Sequence, residues 1–295
     1  MSQPCSITPS KSDWTIHVTP SVGLPFLRLP EPQQAFANCE GHGRPAEHGE
    51  FDPLPPKPTT SDSEAAIYRW FVGHRASILA WRILSDALHA ISSHSDSIDQ
   101  EIELAELCYS AYSIILLYTS RLSAEAYNDV IRPRMFEFDP AFSGRWAADY
   151  AHIPELLRHT RSSASNEKID RLISASKLNL IAHTAVARKL VPNGVSLLRE
   201  SGRSHQKVTR REQGLFDQFF GIERTTVCRD AVHEQMRQTF MAVVSDIQNS
   251  PLVLTSADCE GLSRHQVDNL ASLCVSATDT LNSLTQAVLY QSMKR

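Results

Sequence analysis

The spacing of hydrophobic residues along this chain changes character near Ser61. From Ser63 to about Ile91, Ile67, Phe71, His74, Ile78, Trp81, Ser85 and Leu88 recur every three or four residues, which places them on one stripe of a helix. A second helix, Ile98 to Ser120, is apolar nearly all round in YSAYSIILLY, the pattern of a central buried element. Ser123 can cap a third, SAEAYNDVIRPRM, with Glu125 favourable in its first turn. Pro133 is expected to kink or end it and so leave Arg132 and Arg134 at a helix end. Asp139–Pro140 reads as a further helix start, followed by a short segment through Trp146 and Tyr150 and then PELLRHTR. A long helix from about Asn166 to Val191 carries Ile169, Leu172, Ile173, Ser176, Leu180, His183, Ala187 and Leu190 on one face and stops at Pro192–Asn193–Gly194. After a polar link, three more helices are expected near Glu212–Gly221, Val227–Asn249 and Leu262–Met293. The fold class is therefore all-α, a helical unit over 63–295, with no internal repeat or heptad run.

The first 62 residues follow another logic. Eleven of the sixteen prolines fall in the first sixty residues, and proline breaks helix interiors, so this arm is not helical. WTIHVTP and LPFLRLP alternate enough to predict two short strands around Ser21–Val22–Gly23, and 45–60 reads as a proline-stiffened connector. Two short strands with open edges are unstable alone. The arm is expected to cross to a second subunit of a homodimer, or else to fold back over its own helices.

Composition narrows the function. With 295 residues, 42% hydrophobic, the chain can bury a full core. Net charge is −4 and no Lys/Arg run marks a nucleic-acid surface. The six cysteines form no CxxC pair and no CxxCH haem-attachment site, which suits a reducing cytoplasm and excludes the usual covalent haem motif. The opening residues show no basic-then-apolar leader, and no run of about 18 apolar residues predicts a membrane span.

What remains is a pair of histidines on two helices. His74 lies in FVGHRASILAW and His183 in LNLIAHTAVARKLVP, where Ala182, Thr184, Ala185 and Ala187 are small enough to admit a flat group. Imidazole suits iron, and one axial histidine on haem leaves the other face for reaction. A histidine that only packs in the core or faces solvent is the plainer alternative at each position. His205, in a polar loop, and His233, beside Arg229 and Glu234, are further candidates that read as solvated.

These segments also resemble a known family. Phe71, His74, Arg75 and Trp81 are similar to the distal-histidine helix of haem tryptophan dioxygenases, displaced by one residue on each side. Val186, Arg188, Leu190, Val191 and Gly194 follow His183 as in that family's proximal helix. The dioxygenases' glycine-rich substrate loop is replaced here by SLLRESGRSHQKVTRRE. Through GEFDP, GHRASILAWR, IRPRM, AFSGRWAADY, LVPNGVSLLRE and VCRDAVHEQ the chain is closer to the histidine-ligated haem tyrosine hydroxylases of bacterial antibiotic pathways. That resemblance implies a dioxygenase-like helical bundle holding non-covalent haem b, with His183 as axial ligand and His74 as the catalytic group over the open iron face. It implies Trp81 and Arg188 beside the cofactor. Arg132 or Arg134 would take the substrate carboxylate, helped by Ser196 and Arg199. The implied reaction is hydroxylation of L-tyrosine to L-DOPA by hydrogen peroxide. An oxygenase acting on tryptophan or another indole, and a helical interaction protein without cofactor, stay open as alternatives.

Overall fold

The computed structural model describes residues 23–37, 54–58, 61–93, 98–163 and 167–293. Its frame is a helix pair. Helix α1 (Asp62–Ser92) starts at Ser61, whose side chain accepts the Glu64 amide, with Asp62 and Glu64 complementing the helix dipole. It packs along helix α2 (Ile98–Thr119) for most of its length. The sequence predicts one apolar stripe on α1; the structure buries it nearly all round from Ala65 to Ile91. α2 is the one described helix long and apolar enough to cross a membrane, but α1 and the helices Glu167–Leu190 and Ala277–Met293 cover it, so its apolar surface forms the core.

The two helices meet closely at Gly73. A Cβ there would stand 2.0 Å from Thr119 Cγ2 and 3.3 Å from Tyr118 Cδ1. Helix propensity alone favours alanine over glycine by about 1 kcal/mol. Gly73→Ala is nevertheless expected to lower stability by about 1–3 kcal/mol, the usual cost of overpacking. Thr119→Ser removes the clashing methyl and keeps the hydroxyl that bonds the Ile115 and Leu116 carbonyls. In the double variant it should recover most of the loss in urea unfolding. Simply additive losses would show that the clash lies elsewhere.

The third predicted helix forms, but Pro133 does not end it. α3 (Ala124–Ala126) widens into a π-turn, Tyr127–Ile131, and continues as α4 (Arg132–Phe138). The wider turn absorbs the hydrogen bond that proline cannot donate. Asp139–Pro140 starts no helix: Asp139 ends α4 and its carboxylate accepts the Ala141 amide in a turn. Short 3-10 turns follow at Gly144–Trp146 and Ala148–Tyr150, then α5 (Ile153–Ser163) and α6 (Glu167–Leu190). A short α7 (Leu197–Glu200) leads to α8 (Arg210–Phe220), α9 (Arg229–Asn249) and α10 (Ser256–Cys259). The single helix expected over Leu262–Met293 is broken at Ser276 into α11 (Arg264–Val275) and α12 (Ala277–Met293).

On α6 the inward face differs from the predicted stripe. Ile169, Leu172, Asn179, Ala182, Ala185 and Leu190 are buried, while Leu180 is 65% exposed and His183 and Thr184 are exposed. The buried residues turn to α2, where the Asn179 side chain donates to Ser113 Oγ at 3.2 Å. A buried hydrogen bond and small alanines at the helix contact thus outweigh Leu180 in choosing the face.

The first predicted strand lies outside the described residues. The second forms as β1 (Leu27–Leu29) and pairs in parallel with β2 (Ile222–Arg224), not with a hairpin partner. Its other edge is closed by Gln235 of α9, which accepts from the Arg28 amide at 2.7 Å and donates to the Arg28 carbonyl at 3.0 Å. Proline-rich backbone leaves carbonyls without ladder partners, and two buried arginines of α1 take them. Arg75 donates to the Pro25 carbonyl, and Arg82 to those of Glu31, Pro32 and Gln34. Lys57 and Arg69 both bond Asp246 of α9. Over its described residues the arm therefore folds onto its own helices, and Leu24, Leu27 and Leu29 join their core. For those residues the expectation of an exchanged arm is replaced by packing on the chain's own helices: both edges of the one described strand are satisfied within the chain.

Candidate active site around His74

His74 sits two turns into the buried part of α1. Its Nδ1 donates to the Trp70 carbonyl at 2.7 Å. Because a carbonyl can only accept, that bond fixes the proton on Nδ1 and leaves the Nε2 lone pair free. Two aromatic rings hold the imidazole: Phe220 stacks at 4.7 Å with an 11° interplanar angle, and Trp70 lies at 4.3 Å. Burial between them pushes the His74 pKa down to about 4, opposed in part by the Trp70 carbonyl. The near-neutral titration that a proton-shuttling role would want is thus absent; the ring is a neutral imidazole at pH 7.

Phe220 is set from both sides. Arg75 Nε donates to its carbonyl at 2.8 Å. Gly221 ends α8 with φ +64°, and a Cβ there would come 2.5 Å from Arg75 Nη2, so glycine is needed for this approach. Phe71, Phe142 and Phe219 extend the aromatic packing behind Phe220. Sequence reasoning missed Phe220 and Trp70. The available signals were the QFFG helix end and a Trp one turn before His74.

Trp70 links the histidine to the next group. Its ring meets Tyr127 at 5.5 Å, and its buried Nε1 has no hydrogen-bond partner among the described residues. Burial raises the Tyr127 pKa, and Arg132 opposes the shift. Arg132 in turn donates to Glu200 at 2.6 Å and to the Val195 carbonyl at 3.3 Å. The π-turn and the 194–200 segment are thereby tied together, with Ser196 half-buried ahead of α7 and Arg199 donating to the Gly194 carbonyl at 3.2 Å. His74, Trp70, Tyr127, Arg132 and the 195–200 segment form one connected group.

The other predicted residues stand apart from it. Trp81 lies two turns farther along α1, packed edge-on to Tyr112 at 5.2 Å and against Tyr150 at 5.3 Å. Arg134 donates to the Val130 carbonyl of its own helix at 2.7 Å. Arg188 bonds the Glu260 carbonyl and lies against Gly261 in the turn before α11. His183 is exposed on α6 and has no hydrogen-bond partner among the described residues; partial desolvation lowers its pKa, so it too is neutral at pH 7. No ring contact or hydrogen bond joins it to the His74 group. His205 is exposed as expected. His233, read as solvated, is 3% exposed, and burial with the neighbouring Arg229 charge pushes its pKa down to about 4.

Comparison with known proteins finds a family match over the first helices. Residues 32–177 match a family model described as SfmD 3-methyl-L-tyrosine peroxygenase. The matched stretch is just under half of the chain and is thus similar to a peroxygenase family. It spans His74, Trp81, Arg132 and Arg134, and stops short of His183, Arg188, Ser196 and Arg199. No curated protein sequence matches the chain.

Proposed function

We propose that this protein is a haem-dependent peroxygenase that hydroxylates L-tyrosine at ring position 3 to give L-DOPA, with hydrogen peroxide as oxidant. The observation that carries this reading is the peroxygenase match over residues 32–177, with His74 inside it as a desolvated imidazole whose Nε2 is free.

Two side chains support a haem. Iron takes a neutral imidazole nitrogen, and His183 is both neutral and accessible, next to the exposed Thr184. The unsatisfied Trp70 Nε1 beside His74 is a donor awaiting an acceptor. We assign His183 as the residue that would hold the haem iron. Haem b, when bound, supplies peroxide activation and oxygen transfer to an aromatic carbon.

The chain's own residues do the rest. A phenol titrates near 10 and His74 near 4, so full proton transfer from substrate to His74 is uphill by on the order of 8 kcal/mol. His74 Nε2 instead accepts a hydrogen bond from the phenolic hydroxyl and aims the ring. Phe220 and Trp70 exclude water from that bond, which strengthens it. Arg132 is the carboxylate-binding residue we favour over Arg134, because it reaches the 195–200 segment and its present partner Glu200 is half-exposed and replaceable. Ser196 and Arg199 line the same corner. We also propose a cytoplasmic homodimer, to be read by light scattering on the full chain.

Haem-loaded protein given peroxide is expected to convert L-tyrosine to L-DOPA, identified by mass spectrometry. Turnover of 3-methyl-L-tyrosine alone would keep the peroxygenase and move the substrate. Turnover of tryptophan alone would sink the phenol reading, and the lack of any Soret band in the protein after free haem is removed would sink the enzyme.

A further inference from the structure

A cavity of about 750 Å³ opens between the C-terminal end of α2, the start of α3, the last turn of α6 and the 250–255 loop. That volume is in the range of small-molecule sites, roughly 300–1,000 Å³. Neither His74 nor His183 lines it. Leu117, Leu122, Leu252 and Leu254 make its apolar wall.

Two cations and two carboxylates line it. Lys189 donates to Asp258 and to the Ser120 carbonyl, each at 2.9 Å, and Asp258 also caps α10 through Thr255. Glu125 is at the exposed start of α3, held ionised by Ser123. Arg121 has no ion pair among the described residues. Its guanidinium donates only to the Ser250 carbonyl at 2.6 Å and to the Ser250 hydroxyl. Asp246, the carboxylate that opposes the lowering of the Arg121 pKa, is already bonded by both Lys57 and Arg69. Desolvation, then the Arg69 charge, hold the Arg121 pKa below its ordinary value against the pull of Asp246, and no ion pair among the described residues gives the guanidinium a counter-charge of its own. An anion in the cavity would supply it, and guanidinium binds carboxylate in a two-point fork.

We propose that this cavity binds a small monocarboxylic acid with an apolar body, its carboxylate on Arg121 and its body against the four leucines. This site is separate from the His74 group and stands or falls independently of the haem reading.

The test is calorimetric titration of the full chain with 3-phenylpropionate and with its uncharged twin 3-phenylpropanamide. The acid is expected to bind saturably, at least about 10-fold more tightly than the amide, the scale of one charge-assisted hydrogen bond. Arg121→Gln should bring the acid down to the amide's affinity. Ala257→Trp, on the exposed rim, should block both ligands and leave the unfolding midpoint in place. Should Arg121→Gln fold poorly, the Ala257→Trp comparison decides by itself. Absence of acid binding, equal affinity for acid and amide, or undiminished acid binding in either folded variant would overturn the proposal.

Discussion

Replacing His183 with alanine is expected to empty the protein of haem and reduce turnover to background. The side chain that would bind the iron is what would keep the haem in the protein. His183 is the neutral imidazole that stands exposed on a long helix, between Ala182 and Thr184 and one turn before Ala187. A side chain in that position contributes little to packing, so the fold should survive. The unfolding free energy is expected to move by no more than about 0.5 kcal/mol, as for other surface changes. Loss of haem with an intact fold therefore separates ligation from structure. Pyridine haemochrome reads the haem and far-ultraviolet circular dichroism reads the helices. Full occupancy with an unchanged spectrum would remove His183 as the ligand. His74, with its free Nε2, would then be the first imidazole to examine.

The second large effect is expected at His74. His74→Ala should retain haem and slow single-turnover hydroxylation by about 10²-fold or more. This is the lower part of the range for a positioned acid or base, because the imidazole accepts a hydrogen bond without holding the proton. The pKa of about 4 adds a signature. Burial favours the neutral form, so His74 is unprotonated at every pH above about 5. In the wild type the rate should show no break near 6.5 that His74→Ala abolishes. Such a break would mean that His74 titrates as an ordinary histidine and is less buried than its contacts indicate. Wild-type rates in the variant would reduce His74 to a ring packed between Trp70 and Phe220.

Much of the fold could be read from the chain. The three-to-four-residue spacing from Ile67 to Leu88 predicts α1, and the apolar run of YSAYSIILLY predicts the buried α2. Ser123 caps α3 as its side chain suggests. The break at Pro192–Gly194 ends α6. These are local matters: periodicity, caps and breakers act within a few residues, and packing then reinforces them. His74 was legible as an inward residue for the same reason.

Which face of α6 turns inward was decided only by the partner helix. The pattern offers Leu180 and His183 as core, but Asn179 finds Ser113 on α2 and alanines allow the close approach, so the helix settles about one residue round. The partner of LRL was likewise not written locally. β1 pairs with residues almost two hundred positions later, and two arginines of α1 secure the arm's carbonyls. Around His74 the sequence determined an imidazole on a buried stripe. The tertiary structure decided its tautomer and its depressed pKa, by bringing Phe220 from α8 to stack on a ring whose proton Trp70 holds. Desolvation is a property of everything packed round a group, and no window of sequence contains it.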